Sequence, residues 1–187
     1  MATGLNSVAR KVFKLFEGSG ELWTRETARG IRETIEGDLI TMPVGSLLEI
    51  DASGIEVFDY SFASELFAKL VMRLPIEFEG RCIAVTGLNP YPEENLDPAL
   101  ANSGVMMRVI EEKNHWHLIG KFSGVDRETL NALSLGEQPM SASGLAKILD
   151  INVTASNERL ARLTRFGLLH RIPAGSGRVQ FQYSFPL

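Results

Sequence analysis

Apolar and polar positions in the first two thirds of the chain follow two alternating periods. Short apolar runs typical of buried strands fall at 11–16, 46–51, 81–86 and 115–120, and residues with helical spacing lie between them. The segment 105–110 fits a strand or a helix, because its periodicity does not separate the two. Strands that alternate with helices in this way predict a layered α/β domain.

Polar residues that can cap a helix mark where the helices of this region begin. The helices are expected at 24–37, 61–73, 95–102 or beyond, and 126–135. Thr24 and Asp126 are the expected N-caps of the first and the last, and Ser61 lies near the start of the second. Pro75 is expected to follow the end of that second helix, because proline disrupts a helix interior.

From Pro139 onward the pattern changes to two helices followed by two alternating strands. The expected order is a helix at 143–149, a turn at 150–153, a longer helix ending at Gly167, and strands at 168–172 and 178–185. Thr154 or Ser156 is the expected N-cap of the longer helix, and Gly167 suits a left-handed C-terminal position. Helix, turn, helix and hairpin predict a winged helix-turn-helix domain.

The predicted domains are therefore 1–135 and 139–187, with a linker at 136–139. The formal net charge of −4 is divided unevenly between them. From Pro139 to Leu187 there are six basic and two acidic residues, whereas the rest of the chain holds 13 basic and 21 acidic residues. A locally basic surface attracts nucleic acid whatever the total charge, so the C-terminal domain is the expected binding module.

The longer C-terminal helix separates an apolar face from a polar one. Side chains expected to face the major groove, or to neutralise phosphates near the hairpin, are Asn157, Glu158, Ala161, Arg162, Arg165, Arg171 and Arg178. Arginine can pair with guanine and asparagine with adenine. The alternative is a solvated helix face on a domain that docks protein. If these arginines were buried against the acidic half or paired with its carboxylates, the regulatory interpretation would fail.

The stretch Leu48–Phe67, LEIDASGIEVFDYSFASELF, resembles the core of the STAS-like domains of unknown function. It has their strand ending in aspartate, their small-residue turn and their Ser-Phe-Ala-x-Glu-Leu-Phe helix opening. The segment 22–29 resembles the Arg-Glu helix start of the same group, and the resemblance spans about residues 11 to 125. That group is similar to anti-sigma-factor antagonists, which implies an α/β domain that binds a kinase-like ATPase and is switched by serine phosphorylation.

In this resemblance Ser61 falls on the phosphorylatable serine of the antagonists. A phosphate there would meet free backbone N–H groups at a helix N-terminus. Tyr60 and Phe62 stand where the antagonists have small residues, and a plain N-cap serine is the alternative interpretation.

Three carboxylates are candidates for contacting a partner, namely Asp51, Asp59 and Glu65. They lie near the strand ends, where α/β sheets usually place their binding sites. Each also has an ordinary structural interpretation. Asp51 can accept hydrogen bonds in a turn, and Glu65 can pair with Arg25 or Arg29.

Catalytic and metal-binding patterns do not assemble in this sequence. Cys82 is the single cysteine and lies in an apolar run, which excludes an internal disulfide and indicates a buried, inert thiol. His115 and His117 share one strand face but have no third ligand in the sequence. His170 could contact phosphate or pack in the core. We therefore predict no enzyme activity, no cofactor and no metal.

The predicted function is regulatory: a signal-responsive STAS-like domain joined to a DNA-binding winged helix that acts in transcription. The alternative is an adaptor in a partner-switching pathway, which binds a kinase-like ATPase or a sigma-factor-like protein and not DNA. The chain has no apolar run that could cross a bilayer and no signal-peptide pattern, so a cytoplasmic location and no membrane partner are expected. A homodimer is possible.

Overall fold

The computed structural model describes residues 9–15, 21–112, 115–174 and 181–186, without the side chains of Glu21 and Glu112. Its elements in chain order are β1 (Arg10–Lys14), β2 (Glu21–Leu22), α1 (Arg25–Thr41), β3 (Leu47–Asp51), β4 (Val57–Phe58), α2 (Tyr60–Ala63), a π-helical segment (Ser64–Ala68), α3 (Lys69–Glu77), β5 (Cys82–Thr86), α4 (Pro90–Asn102), β6 (Met106–Glu112), β7 (His115–Gly120), α5 (Gly124–Leu135), β8 (Met140–Ser141), α6 (Ala142–Leu149), α7 (Val153–Arg165), β9 (His170–Pro173) and β10 (Phe181–Ser184).

The apolar runs form one mixed sheet in the order β1-β3-β5-β6-β7. The first four strands are parallel and β7 is antiparallel to β6, so the ambiguous segment 105–110 belongs to a strand. Helices α1 to α4 pack on one face of this sheet and bury the alternate strand residues on that face. Among these, Leu48, Ile50 and Val85 are at most 1% exposed. This confirms the α/β class, and we call β1 to α4 with β6 and β7 the α/β unit.

Two of the predicted helix starts in the α/β unit can be compared directly. The Thr24 side chain accepts a hydrogen bond from the N–H of Thr27, as the capping pattern predicted, and α1 continues to Thr41 instead of about Gly37. Ser61 is not an N-cap, because the carboxylate of Asp59 accepts the bond from Phe62 N at 2.6 Å and the helix begins at Tyr60.

The prediction that Pro75 follows the end of its helix was wrong, since Pro75 lies inside α3. A proline in a helix interior removes its own N–H bond and its ring clashes with the carbonyl four residues earlier, so Pro75 destabilises this part of α3. Leu74 and Phe78 are each 2% exposed. Their burial holds this last turn against the sheet.

Helices α5, α6 and α7 with the small sheet β8-β10-β9 form a second core, and we call these elements the C-terminal unit. Leu130 and Leu133 of α5 are completely buried in this core. The amide of Gln138 also accepts from Phe185 N at 2.6 Å and donates to Leu133 O at 3.1 Å. The predicted linker is therefore held between α5 and β10, inside the C-terminal unit.

Capping in the C-terminal unit differs from the predictions at α5 and at α7. Ser123, not Asp126, is the N-cap of α5, and Asp126 completes a capping box from the third helical position. Asn152 caps α7 by accepting from Ala155 N at 2.7 Å, so Thr154 and Ser156 are not caps. The hydroxyl of Ser156 is instead buried and donates to the carbonyl of Ala142 at 2.8 Å.

The C-terminal unit contacts the sheet face that the helices of the α/β unit leave open. Met106 and Leu118 of the sheet belong to the second core, and Ile83 N donates to Gly167 O at 3.2 Å. This bond is possible because β6 pairs with β5 only from Val85 onward. Within the ranges that the structure describes, no helix is long and apolar enough to cross a bilayer.

Candidate nucleic-acid interface

Helix α7 presents the polar face that its spacing predicted. Leu160 and Leu163 are completely buried in the second core. The side chains assigned to the groove-facing side are all exposed, namely Asn157, Glu158, Ala161, Arg162 and Arg165. The first turn is also open, with Val153 47% exposed. Helix-turn-helix proteins read base edges mainly from the N-terminal part of this helix, which is the unobstructed part here.

Two arginines on the side of α7 that faces α5 are paired with carboxylates. Arg162 Nε lies 3.0 Å from Asp126 Oδ1, and Arg159 Nη1 lies 2.9 Å from Glu128 Oε2. Arg162 is thus paired with a carboxylate of the segment 1–135, the outcome set against DNA binding, because α5 packs beside α7. The Arg162 side chain is 46% exposed but the Asp126 side chain is only 5% exposed, so this ion pair is half-buried.

Asp126 is held in its charged form by its surroundings. Burial alone would raise its pKa, but hydrogen bonds from the hydroxyl and N–H of Ser123 and from Arg162 bring the pKa below its ordinary value. The carboxylate therefore stays ionised over the physiological range, and Arg162 stays paired when no stronger anion is present.

Arg165 and Arg171 remain without a carboxylate partner in the part of the chain that the structure describes. Both are exposed and line a cavity of about 150 Å³ together with Arg81 and Glu79 of the α/β unit. Arg171 also stacks on the ring of Phe181 at 3.5 Å. These arginines are the cations that α7 and β9 offer to phosphates. Arg178 lies outside the described residues.

Arg81 is a residue that the sequence did not indicate. Its Nε and Nη2 donate to the carbonyl of Met42 at 3.2 and 3.1 Å, and its Nη1 donates to the carbonyl of Glu79. Carbonyls satisfy the hydrogen bonds but not the charge, so Arg81 adds to the positive potential beside Arg165. Only the packing of the two units reveals this, because Arg81 and Arg165 are far apart in sequence.

His170 packs against the α/β unit at the start of β9. The ring lies so close to Gly45 that a Cβ at this position, where φ is +92°, would overlap it. Burial lowers the pKa of His170 below its ordinary value of 6.5. Of the two roles considered for this residue, packing describes its observed contacts.

The position of His170 predicts that the protein loses stability as the pH falls. Above pH 6.5 the imidazole is neutral in the folded and the unfolded protein, so the packing of its ring contributes its full stabilisation to the fold. Below it, the unfolded chain takes up a proton that the folded chain resists, so stability is lost as the pH falls through the lowered folded pKa. Urea unfolding from about pH 8 to about pH 5 measures this. His170→Gln should flatten the profile and the exposed control His115→Gln should not; equal slopes in wild type and His170→Gln would rule the coupling out.

The candidate residues for signal reception have local partners. The Ser61 hydroxyl is half-buried and donates to Asp59 Oδ1 at 2.9 Å, the same oxygen that caps α2. Asp51 Oδ1 accepts from Ser53 N at 2.9 Å, which is the turn role considered for it. A phosphate on Ser61 would meet the Asp59 carboxylate first, so phosphorylation would disturb the cap.

Glu65 lies in the π-helical segment and is the centre of a buried ionic network. It forms ion pairs with Lys69 and, at 3.2 Å, with Arg32, while Arg29 is 3.8 Å away. Arg32 also donates to the backbone carbonyl of Glu65 at 3.1 Å and to Glu36 at 2.6 Å. Burial would raise the pKa of Glu65, but hydrogen bonds from Lys69 and Arg32 lower it overall. At 3% exposure, its carboxylate is directed inward.

The remaining chemical candidates do not gather into a site. His117 is bonded through Nδ1 to Glu111 at 2.8 Å and through Nε2 to Glu93 at 3.1 Å, beside an open groove at the ends of β5 and β6. Cys82 is buried, and burial raises its pKa to about 12. Among the described residues, no group of three or more histidine, cysteine or acidic side chains could hold a metal ion.

Comparison with known proteins adds no assignment. No protein-family model matches the chain, and no curated protein matches it in sequence.

Proposed function

We propose that this protein is a non-enzymatic regulator in which a STAS-like α/β unit is joined to a DNA-binding winged helix. The observation that carries the proposal is the order of the C-terminal unit: α5, β8, α6, α7, β9, β10, with the sheet order β8-β10-β9. A helix-turn-helix followed by a hairpin whose last strand pairs with a short strand between the first two helices is the arrangement of winged helices.

The charges on α7 and β9 support DNA as the partner. Arg165 and Arg171 are exposed and have no carboxylate partner in the described ranges, whereas Arg162 is held by the buried Asp126. Asn157 lies on the open N-terminal half of α7, where a side-chain amide can pair with adenine. In this proposal the arginines position the duplex and Asn157 contributes to base recognition.

The STAS-like assignment of the α/β unit is the second part of the proposal. Parallel strands with helices on one face agree with it, and the residues that carry the resemblance have defined roles. Asp59 caps α2, and Glu65 binds Arg32 across the interface with α1. These roles leave fewer groups for a kinase-like partner, so we place the partner-switching adaptor second to the DNA-binding regulator.

Binding of a labelled DNA duplex, measured by fluorescence anisotropy over a range of salt concentrations, tests the proposal. The logarithm of the association constant should fall linearly with the logarithm of salt concentration. Arg165→Ala combined with Arg171→Ala should weaken binding and make the slope shallower by about 1.8, since each phosphate contact contributes about 0.9.

The matched control is Lys14→Ala combined with Arg25→Ala, which removes two exposed cations from the α/β unit. It should bind as tightly as the wild type and with the same slope. The proposal fails if the wild type does not bind at low salt, or if the two double variants bind equally well.

A further inference from the structure

The sheet face opposite α1 to α4 carries two buried charged side chains. Glu49 on β3 is 2% exposed and Arg108 on β6 is 1% exposed. Ala84 of β5 lies between them, because Glu49 pairs with Ala84 and the neighbouring Val85 pairs with Val109. A small side chain therefore separates a carboxylate from a guanidinium group.

The two charges are satisfied very differently. Glu49 forms an ion pair with Arg10, whose Nη2 donates to Oε2 at 2.6 Å. Among the described residues, Nε and Nη1 of Arg108 have no hydrogen-bond partner, and neither does Oε1 of Glu49. The Arg108 guanidinium lies over the Phe185 ring, 4.2 Å from the centroid. Burial lowers the pKa of Arg108 to about 10, so it remains a cation at neutral pH.

The aromatic contact does not compensate this burial. A ring face attracts a cation through partial negative charge but offers no acceptor to the N–H groups. Buried polar groups in native proteins are nearly always hydrogen-bonded, and an unsatisfied one indicates a missing water, ion or functional partner. For a guanidinium group, the natural partner is an oxygen anion.

We propose that Arg108 anchors a binding site for a small oxyanion, a carboxylate or phosphate group, on this face of the sheet. Oxygen atoms of the ligand would accept from the unpartnered N–H groups and neutralise the charge. Cys82 and Ala84 have small side chains on the same sheet face, and Glu49 is paired with Arg10, which reduces its repulsion of an anion. The site is separate from α7, so it stands independently of DNA binding.

Thermal unfolding of the full chain with inorganic phosphate or acetate, at ionic strength held constant with chloride, tests this site. The melting temperature of the wild type should rise saturably with at least one probe, and that of Arg108→Met should not. The control is Arg127→Met, which makes the same substitution at an exposed arginine stacked on Phe122. It should keep the wild-type response, and this separates the site from general anion effects on stability.

A second readout does not require the Arg108 variant to fold. The Trp116 ring lies 5.2 Å from the Phe185 ring that covers the guanidinium, and Trp23 is the one other tryptophan in the sequence. In a Trp23→Phe background, either anion should change the Trp116 fluorescence saturably at the concentrations that stabilise the protein. No saturable change with either probe, or an equal response in Arg108→Met, would overturn the proposal.

Discussion

Replacing Glu65 with alanine is expected to lower the free energy of unfolding by about 3 kcal/mol, because Arg32 loses the more buried of its two carboxylate partners and keeps Glu36. The Arg32 and Glu65 side chains are only 7% and 3% exposed. Urea unfolding followed by circular dichroism measures the loss.

Two variants show whether burial causes this effect. Glu77→Ala breaks an ion pair with Arg73 on the exposed side of α3 and should cost no more than about 1 kcal/mol. Arg32→Met combined with Glu65→Leu removes this buried pair, leaves Glu36 paired with Arg73 at 3.1 Å, and should recover most of the stability, since apolar replacements of a buried pair are often tolerated. If Glu65→Ala costs no more than Glu77→Ala, the network does not stabilise the fold.

This network also gives a structural role to one of the residues that carry the resemblance to STAS-like domains. The Glu of the Ser-Phe-Ala-x-Glu-Leu-Phe helix opening is Glu65, and its main buried partner, Arg32, comes from α1. The sequence offered Arg25 and Arg29 as partners, and Arg29 does approach Glu65 at 3.8 Å. Arg32, the closer and more buried partner, lies one helical turn further along α1. The sequence does not indicate this pair, because only the packing of α1 on the π-helical segment brings Arg32 to Glu65.

Strands marked by a short apolar run were predictable from the sequence. The two-residue strands β2, β4 and β8 were not predicted, and the periodicity of 105–110 did not distinguish a strand from a helix. The runs at 46–51 and 81–86 became β3 and β5 almost residue for residue. Both lie in the middle of a parallel sheet and are covered on both faces, so their apolar character is continuous.

Helix starts were less predictable because several capping residues stand within a few positions of one another. Asp59 precedes Ser61, Ser123 precedes Asp126, and Asn152 precedes Thr154. Any of these side chains can cap a helix. Which one does so depends on where the backbone leaves the extended conformation, and tertiary packing decides that. In each pair the earlier residue is the observed cap.

The charge state of the α7 face could not be predicted for a related reason. Arg162 and Asp126 are 36 residues apart, and only the packing of α5 against α7 brings them together. The division of net charge at Pro139 assigned Asp126 and Glu128 to the other domain. With α5 in the second core, the acidic and basic groups belong to one unit and partly neutralise each other, so the positive potential is concentrated at Arg165 and Arg171.

Phe185→Ala is the second substitution for which we expect a large effect, a loss of about 3–5 kcal/mol in the free energy of unfolding. Phe185 is 2% exposed. It contacts Trp116 and Arg108 of the sheet, while its backbone N–H is held by Gln138. Removing the ring opens a cavity at the junction of the two units and takes away the one aromatic contact of a buried cation.

The control for this substitution is Phe181→Ala, because Phe181 begins β10, the strand that Phe185 follows, but is only half-buried, under Arg171. The decrease in the free energy of unfolding caused by Phe181→Ala should be clearly smaller in the same urea titration. Trp116 fluorescence, recorded in parallel, should change at lower urea in Phe185→Ala than the circular dichroism signal if the C-terminal unit separates before the sheet unfolds. Coincident transitions with a small loss of stability would show that Phe185 does not hold the units together, and that Met106, Leu118 and the Ile83–Gly167 bond are sufficient.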